Sequence, residues 1–131
     1  MSIRNALLVV KREQMKVAIV ILAGTETHEG LGRLVNALET AKELKEAGDE
    51  LRVVFDGAGT EGLAILSDPA HRRHGLYLAV QDHISGACSF CANAFKVRDK
   101  LEQAQVTLLS EYDDHPSIRR LLVEGFQVLT F

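Results

Sequence analysis

The chain holds two cysteines, in the segment Cys88-Ser89-Phe90-Cys91, and five histidines. A thiol pair at this spacing has three chemistries open to it. One thiolate can accept a transferred group, the pair can cycle through a disulfide, or both sulfurs can ligate zinc. A disulfide scaffold is not among them, because two cysteines this close in a 131-residue chain close no useful loop. Zinc would need two further ligands, which His71 and His74 supply on paper. Their spacing is tighter than that of a zinc finger and the chain can build a core without a metal, so no metal or cofactor is assigned. A thioredoxin-like redox site is poorly matched. There is no Trp, no Pro lies between the thiols, and of the two prolines, Pro69 and Pro116, the second sits where a helix opens, not where a cis-Pro introduces a strand.

The elements around the thiols come from hydrophobic periodicity. Val17 to Ala23 is a continuous, largely β-branched run ending at Gly24, the pattern of a parallel strand buried on both faces. Leu31, Leu34, Val35, Leu38, Ala41 and Leu44 then recur at helical spacing, with Gly48 as the stop. Leu51 to Phe55 reads as a second strand, Thr60 to Leu66 as a short helix, and the stretch around His71 to Val80 as another helical piece. Ile84 to Ala87 is the third strand, Cys88 to about Gln103 a helix with Cys91, Ala94, Phe95, Arg98 and Leu101 along one side, and Val106 to Ser110 the fourth strand. A last helix from Pro116 to Glu124 is closed by Gly125 before a strand from Phe126 to Phe131. This alternation predicts an α/β fold, a three-layer α/β/α sandwich on a mainly parallel sheet of about five strands, with right-handed crossovers placing helices on both faces. One domain over residues 15–131 is expected. Residues 1–14 form an N-terminal extension outside it, which Ile3, Ala6, Leu7 and Val10 could dock by a helical stripe.

In open parallel sheets, ligands gather outside the carboxyl ends of the strands. The loops there are Gly24 to Gly30, Asp56 to Gly62, Ala87 to Cys91, and Ser110 to His115, so both cysteines, His28 and His115 converge on one edge. Cys88 stands where a strand meets a helix N-terminus, and the helix dipole favours a thiolate. The effect is limited. About 0.3–2 kcal/mol corresponds to roughly 0.2–1.5 pKa units, which brings a thiol near 8.5 down to about 7 only in the best geometry. Acids in the neighbouring loops oppose ionisation, so His28 or His115 is the expected helper. The alternative for Cys88 is a small buried hydrophobe. For Cys91, one turn on, the choice is between packing and a resolving thiol.

Other signals exclude more than they add. Acids outnumber bases 18 to 15 for a net charge of −3, and the bases are dispersed, which gives no stripe for a nucleic-acid backbone. No apolar run approaches the roughly 20 residues of a membrane span, and the N-terminus lacks a secretory pattern, so a cytoplasmic setting with reduced thiols is expected. Gly57-Ala58-Gly59-Thr60-Glu61-Gly62 matches a dinucleotide fingerprint, but the acid that should end the next strand, Asp82, precedes it. The glycines are therefore read as serving a tight turn. The Gly24 to Gly30 loop lacks the Lys-Ser/Thr ending of a phosphate loop, no Gly-x-Ser-x-Gly elbow occurs, and Asp114 or His115 is read as a helix N-cap.

Met15-Lys16-Val17-Ala18-Ile19-Val20, the helix Asn36 to Gly48, the strand and turn Val53-Val54-Phe55-Asp56-Gly57-Ala58-Gly59, a Cys directly after the third strand and the closing Gly125-Phe126-Gln127-Val128-Leu129 resemble the DsrE family of small sulfur-relay proteins, over about residues 15–131. The resemblance implies a cytoplasmic α/β/α protein of flavodoxin-like architecture that forms a homo-oligomer. It also implies a persulfide carried on Cys88, taken from a sulfur donor and passed to an acceptor protein or small thiol. No resolving role for Cys91 follows from it. Two other functions remain open, a non-catalytic oligomeric binding or assembly module and a Cys88/Cys91 dithiol redox or zinc module.

Overall fold

The computed structural model describes residues 13–131. The extension and its docking stripe fall almost wholly outside the described residues. The elements run β1 (Lys16–Ile21), α1 (His28–Glu46), β2 (Glu50–Phe55), α2 (Ala58–Leu66), α3 (His74–Val80), a 3-10 turn (Gln81–His83), β3 (Ile84–Cys88), α4 (Ser89–Ala94), α5 (Arg98–Gln103), β4 (Leu108–Leu109), α6 (Ile118–Val123) and β5 (Gln127–Thr130). The five strands lie in the order β4-β3-β2-β1-β5, and every pairing is parallel. The result is a three-layer α/β/α sandwich.

Crossover handedness explains why the layers are unequal. The first three connections each step the sheet the same way, from β1 towards β4, so right-handed crossovers put α1 to α5 on one face. The last connection returns across the sheet to lay β5 beside β1, which sends α6 alone to the other face. The continuous apolar run of β1 serves both layers. Val17, Ile19 and Ile21 pack under α1 to α5 with Leu34, Leu38, Phe55, Leu63 and Leu101, whereas Ala18 and Val20 meet Val54, Leu121 and Phe126. Among the described residues no helix is long and apolar enough to cross a membrane.

Three elements differ from the periodicity reading. The helix expected from Cys88 to Gln103 is broken in two, with Lys96 at φ +58° between α4 and α5. The break changes the phase of the buried face. Ala92, Val97 and Leu101 point into the core, and Ala94 and Phe95, expected on the inner side, are exposed. The fourth strand shrinks to Leu108–Leu109, preceded by Gln105 at φ +60°. The last helix starts at Ile118, and its N-cap is Ser117, whose hydroxyl accepts the Arg120 N–H at 3.1 Å; neither Asp114 nor His115 caps it.

Thr60, in the first turn of α2, is fully buried, and its Oγ1 has no partner among the described residues. An unpaired buried hydroxyl costs about 1–3 kcal/mol, and valine has nearly the same shape. Thr60→Val is expected to stabilise the fold by about 1 kcal/mol, raising Tm by roughly 3–5 °C for a domain of this size. Thermal unfolding followed by circular dichroism checks this; a lowered Tm would mean that the hydroxyl is satisfied.

Candidate thiol site

Cys88 is the last residue of β3 and the N-cap of α4, and its Sγ accepts the Cys91 N–H at 3.3 Å. Parallel pairing sets Phe55 opposite Ala87, so the next residues, Asp56 and Cys88, leave adjacent strands side by side at the carboxyl edge. One turn into α4, the Cys91 thiol donates to Asp56 Oδ1 at 3.6 Å, and the same oxygen accepts the Gly57 N–H at 2.8 Å.

The fourth participant arrives on a miniature hairpin. Tyr112 and His115 exchange both backbone hydrogen bonds, at 2.9 and 2.8 Å, around Asp113 and Asp114 at φ +48° and +65°. Two left-handed central residues make the turn a tight hairpin, and Asp tolerates that conformation better than most residues. The Asp114 carbonyl accepts the Phe90 N–H at 2.9 Å, which ties the turn to α4. His115 Nδ1 thereby comes to 3.3 Å from Cys88 Sγ, with the Phe90 ring packed on the imidazole at 4.8 Å between centroids. One ligand-type atom each from Asp56, Cys88, Cys91 and His115 lies within 4.8 Å of all the others.

The electrostatics oppose a resting thiolate. Burial pushes the Cys88 thiol up to about 12; the Cys91 N–H works against this, while the Cys91 thiol and the Asp56 charge add to it. The dipole of a six-residue helix does not offset complete burial, Cys88 being 0% exposed. A protonated thiol beside the imidazole is the neutral-pH arrangement, and reaction requires that the proton leave for a base.

Of the residues singled out from sequence, Cys88, Cys91 and His115 come together. His28 does not join them; it is the exposed first residue of α1, whose N-cap is Thr27. The His71 and His74 zinc set is not assembled either. His71 Nδ1 accepts the Arg73 N–H at 3.1 Å, and His74 Nδ1 lies 2.8 Å from the Leu66 carbonyl. Asp56 went unremarked in the sequence because only strand register reveals its neighbour. In the glycine-rich segment after β2, Gly57 takes φ +52° in the turn and Gly59 packs directly on the end of β1. Asp82 is exposed and held by Lys45 at 2.9 Å, which keeps its carboxyl below the usual range. A surface cavity of about 620 Å³ lies between the end of α2 and α5 and is lined by none of the four cluster residues.

No family model matches the chain, and no solved structure matches it. The chain is similar to an uncharacterized protein of Methanocaldococcus jannaschii, with 25% identity over 116 residues that cover 88% of this chain and 94% of that one.

Proposed function

We propose that the protein is a sulfur carrier of an intracellular relay and holds a persulfide on Cys88. The observation that carries this reading is the thiol–base pair, with Cys88 Sγ 3.3 Å from His115 Nδ1 at the carboxyl edge of the sheet. The resemblance to the DsrE family, which places a persulfide on the Cys after the third strand, supports the same residue, and homo-oligomer formation belongs to this reading.

The step balances as a thiol–persulfide exchange. Cys88 passes its proton to His115 Nδ1 as its sulfur attacks the outer sulfur of a donor persulfide. The Cys88 S–S bond forms, the donor S–S bond breaks, and the donor leaves as a thiolate that collects the proton from His115. The Cys91 N–H steadies the negative charge that develops on Cys88 Sγ. Passing the outer sulfur to an acceptor thiol is the same exchange in reverse. Cys88 is covered and its neighbours His115 and Phe90 are partly exposed, so donor entry requires this cover to move.

The test is anaerobic incubation of the reduced protein with a low-molecular-weight persulfide, followed by intact mass with and without reductant. One added sulfur that disappears on reduction is expected, and no adduct would contradict the reading. His115→Gln is expected to slow loading about 100-fold, the usual lower contribution of a positioned base. An unchanged rate would remove His115 from the mechanism.

A further inference from the structure

The four polar groups at this edge also have the makings of a coordination shell. Two edges of the tetrahedron they outline are 3.3 Å (Cys88 Sγ to His115 Nδ1) and 3.6 Å (Cys91 Sγ to Asp56 Oδ1), and no edge exceeds 4.8 Å. Zinc bonds of about 2.0–2.3 Å in tetrahedral geometry set ligand atoms about 3.3–3.8 Å apart. Two edges therefore already have the right length, and the longest need shorten by only about 1 Å. The donor set is selective. Two sulfurs and an imidazole suit a borderline-soft ion, whereas magnesium and calcium require oxygen ligands.

The supporting shell is in place as well. The Cys91 N–H already points at Cys88 Sγ, the Gly57 N–H holds Asp56 Oδ1, and the Phe90 ring braces the imidazole. Two of the donors, Asp56 and Cys88, stand at or beside strand ends, Cys91 lies one turn into α4, and His115 is fixed through the Asp114 to Phe90 hydrogen bond. We propose that Asp56, Cys88, Cys91 and His115 form a closed tetrahedral site for a divalent cation of the zinc class. Binding releases the two thiol protons, involves no oxidation or reduction, and leaves the shell with one net negative charge. With all four positions supplied by the protein, the site offers no open place for a reactive water. Cation-bound and sulfur-loaded forms exclude one another, because both use Cys88 Sγ; the cation would hold the thiol in a non-transferring state.

The experiment titrates the full-length, reduced, metal-free protein with cobalt(II) and then with zinc(II). One cobalt per chain is expected, with the intense visible bands of a tetrahedral site and a thiolate-to-cobalt charge-transfer band, release of two protons, and displacement by zinc. Cys91→Ser should weaken zinc binding more than about 100-fold, beyond the 10–100-fold usual for an outer-shell change, and Asp56→Asn at least about tenfold. Substoichiometric binding, a six-coordinate cobalt spectrum, or affinity unchanged in Asp56→Asn would overturn the proposal; this substitution, at a partly exposed residue, carries the test if Cys91→Ser does not fold. Both variants keep Cys88 and His115, so they can also be tested for sulfur loading. Failure to bind a cation with normal loading overturns the cation site alone, and failure to load with normal binding overturns the carrier reading alone.

Discussion

Cys88→Ser is expected to abolish the reducible sulfur adduct completely, while Cys91→Ser retains it. A serine hydroxyl forms no persulfide, so the first result follows if Cys88 is the acceptor. The second follows from the surroundings of the two thiols. Cys88 has an imidazole at 3.3 Å to take its proton and a backbone N–H aimed at its sulfur, whereas the Cys91 thiol faces the Asp56 carboxylate, which opposes a second negative charge. The substitution at Cys88 should also leave the fold standing. Cys88 is an N-cap, a position where Ser is among the preferred residues, and the hydroxyl can still accept the Cys91 N–H and reach the imidazole. Stability within about 1 kcal/mol of wild type is therefore expected, so that the loss of adduct reports on chemistry. Intact mass before and after reduction, alongside a thermal melt of each variant, reads both results. Loading that survives in Cys88→Ser would move the acceptor to Cys91.

Gly59→Ala is expected to destabilise the fold severely. A Cβ there would stand 2.1 Å from the Ile21 carbonyl oxygen and 2.9 Å from its carbon, in the middle of the junction between β1 and α2. Neither atom belongs to a side chain that can turn away, so α2 must shift. It would break the hydrogen bonds from the Gly59 N–H to Leu22 and Asp56 carbonyls and disturb the Asp56 N–H bond to Ile21. Overpacking of this kind costs about 3 kcal/mol or more, equivalent to a fall in Tm of roughly 10 °C or more. Since Asp56 moves with the turn, cation binding should weaken too. Gly32→Ala is the control: no atom lies within 4 Å of its Cβ position in the exposed interior of α1, and replacing a helical glycine there should stabilise by up to about 1 kcal/mol. Paired thermal melts decide the matter. Equal Tm values for Gly59→Ala and wild type would show that the turn is not as closely packed as described.

What could be read from the sequence was local or periodic. The run Val17 to Ala23 and the stripe Leu34, Leu38, Ala41, Leu44 mark β1 and α1 because burial on both faces or on one stripe leaves a repeating signature. The position of Cys88 at a strand end followed from the same logic. Its ionisation did not, because burial by the α4 and hairpin side chains outweighs the helix dipole and no sequence pattern reports burial depth. Asp56 was hidden because its partnership with Cys91 depends on the β2–β3 register, a long-range fact. Asp113-Asp114 carries a local signal that fits a helix cap and a left-handed turn alike; Ser117 takes the cap, and the two aspartates form the turn that delivers His115. His28 was lost to the site because α1 begins before its first apolar position, at the Thr27 cap, which puts the imidazole on an exposed turn. The broken α4–α5 segment has a similar origin, since burying Val97 and Leu101 after Ala92 requires the change of phase at Lys96.

The most direct measurement is fragment-ion mass spectrometry of the sulfur-loaded wild-type protein, with cleavage between Cys88 and Cys91 so that the added sulfur is assigned to one thiol. The expected result is a single additional sulfur on Cys88, removed by reductant. Sulfur found on Cys91, or no added sulfur on either thiol, would contradict a persulfide carrier centred on Cys88.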